Sequence, residues 1–181
     1  MKKLILFIAM MMLVACTQAP AEGDLSLKTI EDNGKMIVGF TEYPPMGFKE
    51  NGEITGFDID IAKEVAERLG VEAEFVYIDW DAKVLELNGK NIDMIWNGLT
   101  ITADREKEIL FSKPYFDNRI VIISLNGSGI DQIADLSEMK VGVELQSSGQ
   151  AAVEGNDVFA AIDELVKYTT ITEAILDLKA G

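Results

Sequence analysis

An arginine close to a glycine- and threonine-containing segment is the clearest candidate for chemistry in this sequence. Arg105 lies five residues after Thr100, and Gly98 precedes both. A guanidinium is a planar fork that holds a carboxylate through two parallel hydrogen bonds, which a lysine cannot do. The same arginine could equally be a surface residue paired with Glu106 or Glu108, and the residue pattern alone leaves both alternatives open.

A second polar cluster, Ser-Ser-Gly at residues 147–149, precedes a predicted helix. Backbone N–H groups at the start of a helix attract anions, so Ser148 and Gly149 are candidates for binding the same carboxylate. The alternative is that the triplet only caps the helix. Asp58 and Asp60 look like a carboxylate pair, but we assign them to helix capping and to compensation of the helix dipole.

The composition excludes several classes of function. The chain has 181 residues with 16 Lys+Arg, 31 Asp+Glu, a net charge of −15, one Cys and no His. This charge argues against a nucleic-acid-binding protein, which needs a basic face to replace condensed counterions. The absence of His excludes Ser-His-Asp and Cys-His catalysis and every His-containing metal site, and a single Cys excludes an internal disulfide. We therefore expect no cofactor, no metal and no nucleic-acid partner.

Hydrophobic patterning in the first half of the chain predicts an α/β fold. Predicted strands at 36–41, 74–78 and 92–96 alternate with predicted helices at 58–69, begun by Asp58, and at 81–87. This alternation implies parallel strands joined by right-handed crossovers. Residues 97–100 follow the third strand directly, at the carboxyl edge of the sheet, where open α/β sheets bind their ligands.

The second half repeats the pattern more sparsely. We interpret the polar, proline-containing residues 112–118 as a crossing between a first lobe (35–118) and a second lobe (119–181). The second lobe has predicted strands at 140–143 and 165–168, a helix starting near Gln150 and a final helix capped by Thr172. Two strands leave an open sheet edge, so we expect the second lobe to be incomplete and the chain to be C-terminally truncated.

The amino terminus has the pattern of an export signal. A basic start is followed by an uncharged apolar stretch at residues 4–15, too short to span a bilayer of about 30 Å. It ends in Leu-Val-Ala before Cys16, which resembles the bacterial lipobox, although an ordinary signal with an incidental cysteine is the alternative. We predict a lipoprotein signal peptide at 1–15, lipidation of Cys16 and a tether at 16–34. The location would be the cell envelope, either lipid-anchored to the outer face of the cytoplasmic membrane or in the periplasm.

Four segments in this order resemble the polar amino-acid-binding proteins of ABC importers, the family-3 periplasmic solute-binding proteins. They are YPPMGF at 43–48, GFDIDIA at 56–62, NGLTITADR at 97–105 and FSKPY at 111–115. The resemblance extends from about residue 36 to the end. It implies the type II periplasmic-binding-protein fold, in which two α/β lobes close on an amino acid. It also implies a membrane permease as partner and an extracytoplasmic monomer.

The resemblance assigns roles to the loop and to residues on the second lobe. Arg105 is expected to bind the α-carboxylate, with Ser148 and Gly149 contributing from the second lobe. The segment beginning at Asn97 is expected to serve the α-ammonium through the Gly98 carbonyl and the Thr100 hydroxyl. In the family, an acidic residue further along the second lobe helps to hold this ammonium.

The resemblance also assigns residues that contact the ligand side chain. Tyr43 and Trp80 match the two positions at which the family sandwiches that side chain. Because Trp80 lies between Asp79 and Asp81, we expect it at the rim of the cleft and not in the core. Glu42 lies where family members place an acid that reads a polar or basic side chain, which favours a polar or cationic amino acid.

Two alternatives from other functional classes stay open. Some proteins with this fold are cyclohexadienyl dehydratase-like enzymes, which need an acid or base in the cleft, and Glu42 is the available candidate. The chain has no His and no evident pair of tuned carboxylates, so we expect that it is not an enzyme. An extracellular amino-acid sensor domain is the other alternative.

Overall fold

Buried apolar side chains on one strand form the centre of the first sheet. In the computed structural model, which describes residues 25–181, Met36, Val38 and Phe40 are fully buried. These side chains lie on β1 (Lys35–Phe40), which pairs in parallel with β4 (Glu72–Tyr77) and β5 (Met94–Ile95). The order in the sheet is β4-β1-β5. The predicted parallel α/β arrangement of the first lobe is confirmed.

Three helices and one hairpin surround this sheet. The helices are α1 (Ser26–Asn33), α2 (Phe57–Leu69) and α3 (Lys83–Asn88), and the antiparallel hairpin consists of β2 (Phe48–Glu50) and β3 (Glu53–Thr55). Ala62 and Ala66 of α2 and Ile30 of α1 pack with Met36 and Val38 in one buried cluster. The short alanine side chains let α2 approach β1 closely, so this core fixes the carboxyl edge of the sheet from which the loops extend.

The second sheet is smaller and more exposed. It consists of the parallel strands β6 (Lys140–Glu144) and β7 (Glu164–Tyr168), with the helices α4 (Ser148–Glu154) and α5 (Ile171–Ala180). Val143 is the only hydrophobic side chain in these four elements that is buried. Short 3-10 turns complete the description of residues 25–181, at Trp80–Ala82, Arg105–Lys107, Ile133–Leu136 and Asp157–Ala160.

Part of the predicted tether is helical. The prediction of a tether at 16–34 is wrong for Ser26–Asn33, because α1 forms there and Ile30 enters the core at 6% exposure. Leu27 and Ile30 lie three residues apart, as on one helical face, but only Ile30 is buried and Leu27 stays exposed. Gly34 ends the helix in the left-handed conformation, at φ 67°. The signal peptide and Cys16 lie outside the described residues.

Two predicted helix caps are wrong. Helix α2 begins at Phe57, so Asp58 lies in its first turn and is fully buried, where its carboxylate accepts a hydrogen bond from the Tyr115 hydroxyl at 2.8 Å. Helix α5 is capped by Thr170 and not by Thr172, because the Thr170 hydroxyl accepts the Glu173 N–H at 3.2 Å. Tertiary packing decided the first case and a reciprocal capping box the second.

The connection between the two sheets contains no regular strand. From Glu108 to Gln132 the described chain forms neither helix nor strand. Tyr115 attaches this connection to the first lobe, through Asp58 and through an edge contact with the Trp96 ring at 6.2 Å. The predicted lobe boundary near residue 118 stays a prediction. Within residues 25–181 no helix has the length and apolar character needed to cross a bilayer.

Candidate functional site

The loop after β5 is held rigidly at the edge of the first sheet. Asn97 is 2% exposed and donates its amide to the Thr41 carbonyl at 3.2 Å. Gly98 adopts φ 65°, and a Cβ there would lie 3.2 Å from Cε1 of Tyr43. Glycine is therefore required at this position both by the backbone conformation and by the close approach of the Tyr43 ring. We call Tyr43, Asn97, Gly98 and Thr100 the loop cluster.

The hydroxyl and the carbonyl of Thr100 are both engaged within the protein. The hydroxyl accepts a hydrogen bond from the Asn118 side chain at 2.8 Å, and the carbonyl accepts one from Nη1 of Arg105 at 2.9 Å. The hydroxyl predicted to serve a ligand ammonium thus contacts the connection between the lobes. Its oxygen retains a further lone pair, so this contact does not exclude a second partner.

Arg105 joins the two lobes. It begins a 3-10 turn, Arg105–Lys107, and its guanidinium donates to Thr100 in the first lobe. It also donates to Oγ of Ser148 at 3.2 Å and to the Gln146 carbonyl at 3.1 Å, both in the second lobe. Among the described residues it makes no ion pair, so the alternative of a surface pair with neighbouring glutamates is not formed.

The electrostatics of Arg105 suit an anion. Burial lowers its pKa, since the charged form is costly to desolvate. Of the five N–H groups of a guanidinium, three donate within the described structure and two are left for another acceptor. A carboxylate would supply both acceptors and the missing negative charge.

The second-lobe serines divide two tasks between them. Ser147 caps α4, since its hydroxyl accepts the Gln150 N–H at 3.1 Å. Ser148, the first residue of the helix, directs its hydroxyl to Arg105. Gly149 lies in the same first turn and has no side chain that could contact Arg105. The predicted helix start near Gln150 is two residues late because the capping serine is Ser147.

Trp80 is buried, contrary to the prediction that its acidic neighbours place it at the rim. The side chain is 6% exposed, and Nζ of Lys83 lies 4.8 Å from its ring centroid. Asp79 and Asp81 do not prevent burial, because the 3-10 turn Trp80–Ala82 directs successive side chains in different directions. Trp80 nevertheless adjoins the contacts between the lobes through Lys83.

Glu42 is not brought to Arg105. Its carboxylate accepts the Lys49 N–H of β2 at 3.3 Å, on the hairpin side of the first lobe. This contact gives Glu42 a structural partner within residues 42–50. The described structure therefore places Glu42 beside Tyr43 and the hairpin, and not with the residues that join the lobes.

Lys83 is a residue that the sequence interpretation missed. Its ammonium donates to the Trp80 carbonyl at 2.8 Å and to the Gln146 carbonyl of the second lobe at 3.3 Å, and it is 5% exposed. Burial, with the charge of Arg105 as the next cause, lowers its pKa to about 8. The sequence signal that could have identified Lys83 is its spacing from Trp80 and Leu87. This spacing places all three residues on one face of α3 and its preceding turn. We call Lys83, Arg105, Gln146 and Ser148 the bridging cluster.

A cavity of about 510 Å³ adjoins the loop cluster. Its lining includes Tyr43, Asn97, Gly98 and Thr100 together with residues 109–118. Arg105, Trp80, Ser148 and Gly149 are not among its lining residues, so it covers only part of the predicted site. The described residues contain no group of three or more acidic, His or Cys side chains suited to a metal ion.

Comparison with known proteins gives one consistent result. Residues 36–179 match the family model of the bacterial extracellular solute-binding proteins, family 3. The arginine-binding extracellular protein ArtP of Bacillus subtilis is 36% identical over 62% of this chain and 45% of its own length. The L-cystine-binding protein TcyJ of Escherichia coli is 33% identical over 83% of this chain and 60% of its own. The chain thus spans roughly half of the length of these relatives.

Solved structures agree with the fold. An ABC uptake transporter substrate-binding protein from Streptococcus pneumoniae with bound histidine superposes with a TM-score of 0.82 at 35% identity, covering 87% of this chain and 66% of that one. The ancestral amino-acid-binding protein AncCDT-1, described as a precursor of cyclohexadienyl dehydratase, gives a TM-score of 0.80 at 32% identity, covering 86% and 70%. With its two parallel sheets and a guanidinium that joins them, this chain belongs to the family-3 bacterial extracellular solute-binding proteins and has the α/β architecture of their type II two-lobe fold.

Proposed function

We propose that the protein is the extracytoplasmic binding component of an ABC importer for polar amino acids. One observation carries this proposal, namely that Arg105 is anchored on the Thr100 carbonyl and reaches Ser148 and Gln146 of the other lobe. An amino-acid carboxylate bound to the two remaining donors of Arg105 would contact both lobes. The ligand would then favour closure through contacts that only the closed arrangement offers.

The loop cluster supplies the rest of the ligand site. The Gly98 backbone lies against the Tyr43 ring, and because glycine has no side chain of its own, an α-ammonium can approach the Gly98 carbonyl beside this ring. Tyr43 is 37% exposed and offers an aromatic surface to the ligand side chain. Arg105, the loop and Tyr43 thus supply partners for the three parts of a free amino acid, each of which needs one when water is excluded.

The test is calorimetric titration of the complete protein with the common amino acids. Arg105→Ala removes the two donors proposed to hold the carboxylate, and we expect at least a hundredfold loss of affinity, since each of these two charge-assisted contacts contributes about 1.5–3 kcal/mol. Arg105→Lys keeps the charge without the fork and should lose most of the same affinity. Arg68→Ala is the matched control, because Arg68 pairs with Glu64 on the exposed face of α2. Unchanged affinity in Arg105→Ala would refute the carboxylate role.

We also propose that the protein is not an enzyme. A dehydratase needs an acid or base positioned in the cleft, and the candidate Glu42 lies on the hairpin side of the first lobe, where one of its carboxylate oxygens accepts the Lys49 backbone N–H. The relatives reported above are named as binding proteins. Turnover of prephenate or arogenate by the purified protein would contradict this part of the proposal.

The proposed cellular setting is the cell envelope. Membership of an extracellular family supports this location. We propose in addition that Cys16 is lipidated, that the protein acts as a monomer and that it docks on a membrane permease. Cys16→Ser should move the protein from the membrane fraction to the soluble fraction, and equal membrane association of both forms would refute the anchor.

A further inference from the structure

Two cationic groups of the first lobe converge on one carbonyl of the second. Nζ of Lys83 and Nη2 of Arg105 both donate to the Gln146 carbonyl oxygen, at 3.3 and 3.1 Å. The two nitrogens therefore cannot be farther apart than these two distances taken together. Like charges at this separation repel strongly when water is excluded, and Lys83 is 5% exposed. The bridging cluster is thus strongly positive before any ligand is considered.

The backbone of Gln146 is held in an uncommon conformation that serves this contact. Its φ is 56°, in the left-handed region that non-glycine residues rarely adopt. Its N–H donates to Oε1 of Gln150 at 2.7 Å, which ties the peptide to the first turns of α4. This conformation presents the Gln146 carbonyl to the two cations of the first lobe.

No carboxylate neutralises Lys83 directly. Within residues 25–181 it forms no ion pair, and its two acceptors are carbonyl oxygens. The charged groups that face it at longer range are Arg105, Glu144 of the second lobe, Asp81 and Glu108. Glu144 accepts the Ile171 N–H at 3.2 Å instead. An ammonium has three donors, so one donor of Lys83 remains for another oxygen.

The ammonium also lies over Trp80, one of the two aromatic residues expected to contact the ligand side chain. The distance from Nζ to the ring centroid is 4.8 Å, within the range of a cation–π contact. A cationic ligand side chain that stacked on Trp80 would add a third positive charge beside Lys83 and Arg105. A side-chain amide or carboxylate would instead supply an acceptor.

We propose that Lys83 makes this site selective for amino acids whose side chain carries a hydrogen-bond acceptor and no positive charge. Glutamine and glutamate belong to this class, whereas arginine and lysine are disfavoured. This inference rests on the proposed function, since it concerns the ligand of the same site. It differs from the preference for cationic ligands that the position of Glu42 suggested, because Lys83 brings a positive charge without an ion-pair partner to the bridging cluster, whereas Glu42 lies on the hairpin side of the first lobe.

The test compares four ligands, glutamine, glutamate, arginine and lysine, by calorimetry on the complete protein and on Lys83→Met. Methionine keeps most of the side-chain length without the charge. The charge of Lys83 should repel a ligand guanidinium. We therefore expect the wild type to bind glutamine at least tenfold more tightly than arginine, a difference of about 1.4 kcal/mol. Lys83→Met should reduce that ratio about tenfold.

Lys63→Met is the matched control for this variant. Lys63 also donates to a backbone carbonyl, that of Ile54 at 3.4 Å, and lies over an aromatic ring, that of Phe75 at 5.9 Å. It does so within the first lobe and away from the bridging cluster. The ratio of glutamine to arginine affinity should be unchanged in this variant.

A second measurement needs no variant and so does not depend on folding of Lys83→Met. The pKa of Lys83 is lowered to about 8, whereas a ligand guanidinium keeps its proton well above that pH. Raising the pH from about 7 to about 9.5 should therefore weaken the discrimination against arginine. The other charged groups that face Lys83 are Arg105, Glu144, Asp81 and Glu108. The α-ammonium groups of the two ligands titrate alike, so their effect cancels in the ratio.

The outcomes separate this inference from the proposed function. Binding of arginine as tightly as glutamine, or a ratio unchanged both in Lys83→Met and at high pH, would overturn the role of Lys83 while leaving an amino-acid receptor in place. Absence of binding by these four ligands with binding of another common amino acid would overturn the inference alone, whereas absence of binding by every common amino acid would overturn the proposed function itself. A preference for glutamine or glutamate that falls in both tests supports the inference.

Discussion

Helices of the two lobes begin in different ways. Helix α2 of the first lobe follows Gly56 and has no side-chain cap, yet Ile59, Ala62 and Ala66 on its inner face are almost fully buried. Helix α5 of the second lobe begins with a capping box from Thr170, and none of its residues is buried. The first lobe is thus stabilised mainly by tertiary packing, and the second lobe depends more on local hydrogen bonds.

The difference suits a two-part site. A rigid first lobe can hold the loop cluster and Arg105 in fixed positions, which limits the entropy lost on binding. The second lobe contributes a backbone carbonyl, that of Gln146, and one hydroxyl, that of Ser148. Among the described residues, Lys83 and Arg105 make hydrogen bonds to Gln146 and Ser148 that join the lobes, and ligand contacts added to these would bias their closure.

The largest expected effect comes from the core of the first lobe. Phe40 is fully buried and packs edge-on against Phe75 and Tyr77. Phe40→Ala should lower the free energy of unfolding by about 3–5 kcal/mol, because the cavity is enclosed by the sheet. Urea denaturation of the complete protein measures the change. Phe159→Ala is the control from the second lobe, where the ring is 44% exposed, and it should cost less than about 1 kcal/mol. Equal losses of unfolding free energy in the two variants would show that packing stabilises the two lobes to the same extent.

An intermediate effect is expected where the connection joins the first lobe. Tyr115→Phe removes the hydroxyl that donates to buried Asp58, so about 1–3 kcal/mol of stability should be lost at neutral pH. Burial raises the pKa of Asp58, and its hydrogen bond from Tyr115 opposes that rise. The variant should therefore have a higher Asp58 pKa still.

The direction of the Asp58 pKa shift determines at which pH Tyr115→Phe loses more stability. When the folded pKa of a carboxyl group is raised, the folded protein holds the proton longer, so the destabilisation by its charge is present at high pH and disappears below the unfolded pKa near 4. The loss in Tyr115→Phe should thus be larger at pH of about 7 than at pH of about 4. Tyr168→Phe, which removes a more exposed hydrogen bond to Asp177 in the second lobe, is the control and should change stability by less than about 1 kcal/mol at pH of about 7. A pH-independent loss in Tyr115→Phe would show that the Asp58 charge is not involved.

The smallest expected effect tests the local stabilisation of the second lobe. Thr170→Ala removes the cap of α5 and leaves the Glu173 N–H without its side-chain acceptor, at a cost of about 1 kcal/mol. Thr172→Ala changes the same residue type in the first turn of the same helix without removing the cap. Thermal or urea unfolding should separate the two variants, and equal stability of both would argue against the capping box.

Much of the fold could be predicted because it depends on nearby residues. The strands of the first sheet follow from short apolar segments such as that around Val38, and their parallel pairing follows from the intervening helices. The helix stop at Gly70 follows from its left-handed conformation, which glycine adopts readily. Caps were less certain, because Thr170 and Thr172 both fit the pattern and only the reciprocal bond with Glu173 distinguishes them.

The site was only partly predictable. The proximity of Gly98, Thr100 and Arg105 is a consequence of sequence spacing, whereas the burial of Trp80 and Lys83 is not. Gly56 shows the same limit on the fold, since a Cβ there would lie 2.4 Å from the Met46 carbonyl oxygen. A better capping residue is therefore excluded by a contact that no local pattern indicates.

The sequence by itself determined the α/β class, the loop at the carboxyl edge of the first sheet and the fork of Arg105, because each depends on residues a few positions apart. Only the tertiary structure decided what that fork contacts, since Gln146 and Ser148 lie 41 and 43 residues away from it. It also brought Lys83 to a carbonyl 63 residues away. Burial and charge at such distances depend on how the two lobes pack, and sequence spacing does not contain that information.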